Sequence, residues 1–355
     1  MLKIRLRCAG VIAALLLSIT GAQATPPPAA TFFKDADVTD VQLSPSGRQL
    51  AITTARGHQR VGLVVFDLGS GKLSRAAHFA DADVTNVRWV HDGRLLFSIE
   101  DFSDGSGRPN GQPGLFAVNP DGSDMRQLIR RTGLTSAKDR FGKLDRVLDW
   151  NHRLLRVPAP RADVAVDEVL IVQISNDADR IATPLWINTR TGITRKAHAN
   201  APAHTTGWLT DSHGELRVAI TEHTGRRAAH WRGPGQQDWR PLYESDLLNP
   251  PFGLHSVDTA GRLYVTRTLG QDQRGVLTRF DFEHGAPDPQ ALIESPGFSF
   301  TGQLLDEAGG PALGVRLVTD AETTVWFHPA LKAFQQLVDA RMPDHINRID
   351  CRRCG

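Results

Sequence analysis

The chain has 355 residues, with 41 Lys plus Arg, 39 Asp plus Glu and a formal charge of +2. Its first 24 residues hold Lys3, Arg5 and Arg7 and no acid, which leaves the remainder at a net charge of −1. That balance excludes a nucleic-acid partner held by bulk charge. At 23% charged and 40% hydrophobic residues, the sequence is neither that of a disordered chain nor that of a membrane-embedded one.

Residues 1–24 read as a secretory signal peptide. A basic start leads into an apolar stretch over 11–19, and Ala22, Gln23 and Ala24 place small residues at the cleavage site, with the cut after Ala24. The apolar stretch is shorter than the ~20 residues a spanning helix needs. Cys8 precedes it and is not placed to accept a lipid. Residues 25–34, with three consecutive prolines at 26–28, form a linker. The mature protein is expected to be periplasmic or secreted and free of the membrane after cleavage.

A repeat follows. Residues 35–50 (DADVTDVQLSPSGRQL) and 81–96 (DADVTNVRWVHDGRLL) align without a gap at an offset of 46. Each unit has an alternating apolar run, a turn at Gly47 or Gly93 and a second strand over 49–53 or 95–99. A third strand lies at 63–66 or 115–118, and a fourth ends near Phe79 or Ile129. Four short strands in about 45 residues is the period of a propeller blade. Later units diverge but keep the rhythm, with starts near 146, 206, 253 and 298. Residues 332–340 have helical spacing and one β-branched residue, Val338, so a short helix is expected in place of an outer strand. Residues 347–355 look like the start of a further, truncated blade.

The fold class is therefore all-β: a β-propeller over 35–346 of about six to seven four-stranded blades, the last incomplete. A lone four-stranded sheet cannot bury both its faces, and radial stacking does so. A β-sandwich pair or an open stack is the competing arrangement. If the chain stops after one strand of a blade, a sheet face is left uncovered, so marginal stability or aggregation is expected of the isolated chain.

Motifs for chemistry are sparse. Among the serines, only Ser299 has a glycine at −2 (Gly297), and Thr301 stands at +2, so no G-x-S-x-G nucleophile elbow is present. Glu222-His223 lacks the second His of a zinc helix. Residues 101–107 lack calcium-loop spacing. Asp40, Asn86, Asp149 and Asp211 could face a central axis and hold a metal, but polar groups that satisfy buried backbone are the commoner case. Trp89, Trp150, Trp208 and Trp326 recur at strand positions that suit packing between blades. Cys351 and Cys354 near the C-terminus suit a local disulfide, an incidental pair or, with two further ligands, a metal.

The segment Gly207-Trp208-Leu209-Thr210-Asp211-Ser212-His213-Gly214-Glu215-Leu216-Arg217 resembles the W-x-x-D-x-x-G-x-x-R blade motif of bacterial prolyl oligopeptidase-family serine peptidases, in the acylaminoacyl-peptidase-like branch. The Leu-Ser-Pro-Ser-Gly turn at 43–47, the stretch from Gly314 to Trp326 and the run up to Ile349 are similar to the same family. The resemblance implies a secreted propeller that caps an α/β-hydrolase domain and admits only short peptides to a Ser-Asp-His triad. The hydrolase part of that pattern has no counterpart in the sequence, so no catalytic residue is carried over.

The expected function is thus that of a non-catalytic, substrate-gating propeller of such a peptidase, inactive alone. No catalytic, metal-binding or cofactor-binding residue and no cofactor is predicted. The expected partners are short peptides once a hydrolase domain is joined, or a protein, with no nucleic acid. Two alternatives stand beside it. One is a free-standing periplasmic propeller that binds a protein or envelope component, like the Tol-system propeller; the other is a propeller hydrolase such as a lactonase.

Overall fold

Neighbouring side chains of a strand point to opposite sides of its sheet, so an unbroken apolar run needs cover on both faces. The middle strands of this chain carry such runs, for example Leu95-Leu96-Phe97 and Val169-Leu170-Ile171-Val172. The computed structural model describes residues 28, 36–101, 113–131, 146–160, 163–197, 200–306 and 310–350. It contains the units Met1–Asp37 and Val38–Gly355, and the architecture below is that of the second.

The fold is a six-bladed propeller of small antiparallel sheets with, among the described residues, one short helix. The first blade holds β1 (Val38–Leu43), β2 (Gln49–Thr54), β3 (Gly62–Asp67) and β4 (Leu73–Ala77). The second holds β5 (Asp83–His91), β6 (Arg94–Glu100), β7 (Leu115–Val118) and β8 (Arg126–Ile129). The third holds β9 (His152–Arg156), β10 (Glu168–Ile174), β11 (Ala182–Asn188) and β12 (Thr194–Lys196). The fourth holds β13 (Thr205–Thr210), β14 (Leu216–His223), β15 (Arg226–Trp231) and β16 (Arg240–Asp246). The fifth holds β17 (Gly253–Val257), β18 (Leu263–Leu269), β19 (Arg274–Asp281) and β20 (Ala286–Pro287). The sixth has three strands, β21 (Gln303–Leu305), β22 (Gly314–Val318) and β23 (Glu322–Trp326). Strands pair in sequence order within each blade.

The alternation of each middle strand assigns its residues to two interfaces. Leu95 and Phe97 pack with Leu63, Val65 and Ala51 of the first blade, while Leu96 packs with Val169, Ile171 and Ile187 of the third. Leu170 and Val172 turn the other way, onto Trp208 and Ala219. Val218 and Trp231 pack on Phe252, Leu263 and Val265, and Tyr264 and Leu277 pack on Leu304, Val315 and Leu317. Leu95, Leu96 and Phe97 are all fully buried, and each such side chain contributes about 1.5–3 kcal/mol.

The first blade is the exception. Ala51, Leu63 and Val65 are covered by the second blade, but the opposite face is only partly covered. There the register sets Leu43, Leu50, Phe66 and Leu73 in one row and Val41, Ile52 and Val64 in the next. Leu73 is 60% exposed and Val41 45% exposed.

After β23 the helix α1 (Pro329–Arg341) occupies the place in sequence of an outer strand. Pro329 suits the first helical position, where its missing N–H costs nothing. Leu331 packs on Trp326 and Leu313, and Trp326 Nε1 donates to Gln335 Oε1 at 3.2 Å. The expected helix over 332–340 lies inside this span.

Two details differ from the sequence reading. Residues 146–150 do not form the inner strand of the third blade. Leu148 makes a parallel bridge to Ile129 and so extends the outer edge of the second, and β9 begins at His152. Leu148 packs with Leu128 and Ile129, which draws it outward. Residues 347–350 form no strand. Arg316 donates Nη2 to Ile349 O at 2.9 Å and to Asp350 Oδ1 at 3.0 Å, which holds this segment by side-chain bonds instead of a ladder. Residues 1–24, the linker apart from Pro28, and Cys351 and Cys354 lie outside the described residues.

Candidate functional site

Inner strands end at the turns that lead to the second strand of each blade, and in the fourth, fifth and sixth blades the turn begins with an acid. Asp211 follows β13, Asp258 follows β17 and Asp306 follows β21. An aspartate at the start of a turn accepts the turn's own amides. Asp211 Oδ1 accepts the N–H groups of His213 and Glu215 at 3.0 Å each, and its Oδ2 accepts Arg217 Nε at 2.8 Å. Asp258 Oδ1 accepts the N–H of Arg262 at 2.8 Å. Its Oδ2 accepts Tyr264 Oη at 2.9 Å and, from the sixth blade, the N–H of Ala312 at 3.2 Å. Burial and the Asp258 carboxylate push the Tyr264 hydroxyl up to about 12.

In both turns the partner stands six residues after the acid, as Arg217 or Tyr264. The residue six after Asp306 is Ala312, whose side chain has nothing to donate. Asp306 instead faces Arg156, the last residue of β9, at 4.0 Å. Burial raises its pKa above the ordinary carboxylate value; Arg156 counters this, and Asp258 and Asp211 add to it. Arg156 is held in turn by the fourth blade, donating Nε to Asp211 O at 3.0 Å and Nη2 to Thr210 O at 3.4 Å. Groups from the third, fourth, fifth and sixth blades thus converge at one end of the inner strands. The Arg156–Asp306 contact joins blades that are not neighbours, which requires their inner edges to face each other across the centre.

The W-x-x-D-x-x-G-x-x-R residues all serve as structure. Trp208 Nε1 donates to Ala182 O of the third blade at 2.8 Å. Asp211 and Arg217 close the turn. Gly214 has φ +79°, and a Cβ there would lie 3.0 Å from Trp186 Cη2 of the preceding blade. The motif fastens one blade to the one before it.

A second concentration of charge lies between the second and third blades at the same end. Arg94 is fully buried and donates to Asn119 Oδ1 at 3.0 Å, Asp124 O at 2.8 Å and Thr189 O at 2.7 Å. Burial lowers its pKa. Asp167 accepts Arg190 Nε at 3.0 Å and lies 2.9 Å from His91 Nε2. Burial pushes the Asp167 carboxyl up, but His91 and Arg190 outweigh it and hold the group below its ordinary value.

The other residues weighed from the sequence do not join these groups. Ser299 Oγ accepts the N–H of Gly275 at 3.1 Å. Asp40 accepts the N–H of Val41 and the side chain of Gln42. Glu222 pairs with Arg227 at 2.9 Å, and His223 stacks on His204 at 3.8 Å between centroids. Asp149 presents its carbonyl to His152 at 2.9 Å, while its carboxylate takes no part in the convergence. Asp101 pairs with Arg60, and residues 102–107 lie outside the described residues. Trp89 Nε1 donates to Gln42 O of the first blade, Trp326 packs beneath α1, and Trp150 is exposed. No group of three or more His, Cys, Asp and Glu among the described residues is placed to hold a metal ion.

Arg156 and Asp306 were not singled out by sequence reasoning. A signal for Asp306 existed: Asp211, Asp258 and Asp306 recur 47 and 48 residues apart, each directly after an inner strand. Arg156 has no such signal.

The sequence matches no protein-family model and no curated protein. Among solved structures, the chain is similar to an acylaminoacyl peptidase from Pyrococcus horikoshii at 13% identity and a TM-score of 0.42, covering 85% of this chain and 47% of that one. It is similar to a prolyl endopeptidase at 11% identity and a TM-score of 0.47, covering 82% and 41%. It is also similar to TolB from Acinetobacter baumannii at 12% identity and a TM-score of 0.29, covering 72% and 55%. The chain therefore spans about half or less of the length of these proteins.

Proposed function

We propose that the chain is the non-catalytic, substrate-gating propeller of an exported prolyl oligopeptidase-family serine peptidase, working beside a hydrolase domain and inactive without one. The observation that carries the gate is the Arg156–Asp306 contact at 4.0 Å between the inner edges of the third and sixth blades. A ligand passing that end of the inner strands must skirt or displace the pair. The family assignment rests on the residues 207–217, and export rests on residues 1–24. Asp306 is the acidic half of the gate: its carboxylate faces Arg156 across the centre, and a peptide's amine could take the place of that guanidinium.

Saturation-transfer NMR on the purified chain tests the gate. Dipeptides and tripeptides are expected to bind and long peptides to be excluded, and Arg156→Ala is expected to relax the size limit. Equal binding of both sizes to the parent overturns the gate. A separate assay with chromogenic peptide esters is expected to show no turnover, and hydrolysis above background overturns the non-catalytic reading.

A further inference from the structure

A cavity of about 320 Å³ opens between the second and third blades, toward the ends of the inner strands where β5 and β9 begin. His152, on its wall, is four positions from Arg156 at the other end of β9, so it stands roughly 13 Å along the strand from the gate. Its size is that of a small-ligand pocket. The polar wall comes from Asn86 and Arg88 on β5, Ser98 on β6 and His152 and Arg153 on β9. No acid lines it among the described residues.

The two arginines are unlike the others near blade junctions. Arg60, Arg190, Arg217 and Arg316 each hold a carboxylate. Among the described residues, Arg88 donates only to the adjacent Val87 O, at 2.9 Å, and Arg153 has no partner. Both are solvent-exposed, and an anion seated in the cavity would meet positive charge from two strands.

The backbone is shaped for this. The β5–β6 ladder slips between Thr85 and Arg88, and Asn86 sits at φ +53°. Such a bulge re-aims side chains, and asparagine tolerates the left-handed conformation better than most residues. Asn86 and Arg88 are both exposed, while Val87 and Trp89 beside them on the strand are buried.

We infer that this cavity is a receptor for the oxyanion of a small ligand, a carboxylate or a phosphate, with Arg88 and Arg153 as its two charged donors. Guanidinium groups suit planar or tetrahedral oxyanions because their N–H groups form a rigid fork. The inference stands apart from the gate, since it uses none of the same residues.

Titration calorimetry of the purified chain at low ionic strength tests it, using inorganic phosphate, N-acetyl-alanyl-alanine and the C-terminal amide of that peptide. Phosphate or the free-acid peptide is expected to bind. Arg88→Gln and Arg153→Gln are each expected to weaken binding about tenfold or more, as loss of a charge-assisted donor does. The exposed Arg48→Gln serves as the control for bulk charge and is expected to change nothing. Preference for the free acid over the amide assigns a carboxylate, and preference for phosphate assigns a phosphate. The inference is overturned if none of the probes binds at millimolar concentration, if acid and amide bind alike without phosphate binding, or if the variants bind as the parent does. In the unaltered protein, bound phosphate is also expected to protect Arg88 and Arg153 from phenylglyoxal, read by peptide mass spectrometry. Unchanged labelling at saturating phosphate also overturns the site.

Discussion

The backbone N–H of Ser46 donates to the Asp92 carboxylate at 2.9 Å, and these residues are 46 positions apart. They are equivalent members of the sequence repeat, so the repeat period is the step from the first blade to the second. Trp89 reinforces the step by donating Nε1 to Gln42 O at 3.0 Å. Asp83, a repeated aspartate, accepts the N–H of Val61 at 2.8 Å and Arg60 Nη1 at 2.9 Å, tying the start of the second blade to the β2–β3 connection.

The fourth-blade motif is predicted to govern stability. Asp211 is 1% exposed, and Arg217→Ala leaves its carboxylate without the guanidinium bonded to it. Breaking a buried pair this way costs about 3–5 kcal/mol. A urea melt is expected to show a loss of that order or smaller, because the Arg232 charge still acts on Asp211. An unchanged midpoint would show that the two turn amides alone satisfy the aspartate.

Two glycines with nearly the same backbone separate conformational strain from packing. Gly225 has φ +75° with nothing within 4 Å of a Cβ, whereas Gly261 has φ +76° and a Cβ there would lie 2.5 Å from Pro234 Cγ of the preceding blade. Gly225→Ala is expected to cost about 1–2 kcal/mol, from the left-handed conformation alone. Gly261→Ala carries that cost plus about 1–3 kcal/mol of overpacking. Equal shifts in thermal melts would contradict the contact with Pro234.

Asp306 makes stability pH-dependent in a known direction. Its folded pKa is raised, chiefly by burial, so its contribution is fully present below the ordinary carboxylate range and is lost as pH rises through the folded pKa. Asp306→Asn is therefore expected to raise the melting temperature at neutral pH. The gain should vanish in acid, where the parent's carboxyl is already neutral. A variant less stable than the parent at neutral pH would show that the Arg156 pairing outweighs burial.

Two histidines act in the opposite sense. Burial lowers the pKa of His152 and of His230, against weaker contributions from Asp149 and Glu244. Their folded values lie below the unfolded one, so each contributes stability that is present above about 6.5 and declines as pH falls through that value. Substituting both with glutamine is expected to flatten the loss of melting temperature between neutral and mildly acidic pH. An unchanged slope would refute it.

The partly covered face of the first blade is predicted to drive self-association. Leu73→Lys with Val41→Lys places charge on two of its most exposed positions, and such edge charges oppose association. Sedimentation velocity is expected to show less oligomer, with stability changed by no more than about 0.5 kcal/mol. Identical profiles would mean that the face takes no part in association.

Much of this architecture was legible beforehand, because it is written in short-range spacing. The apolar run Leu95–Phe97, turns at Gly47 and Gly93 and the helical pattern at 332–340 each concern residues a few positions apart. The third unit's start near 146 shows the limit: Leu148 has strand character, but its partner Ile129 belongs to another blade's outer edge.

The repeat also equates residues that the tertiary structure treats differently. Arg48 and Arg94 occupy the same position, yet Arg48 is exposed and Arg94 is fully buried, because the third blade supplies Thr189 O and the second supplies Asn119 and Asp124. Sequence by itself determined the blade period, the strand order and the class of fold, since local periodicity decides which faces must be buried. Only the tertiary structure decided that Arg156 meets Asp306 and that Arg88 and Arg153 line one cavity. Those encounters depend on how several sheets are angled about a common centre, and no spacing along the chain encodes that angle.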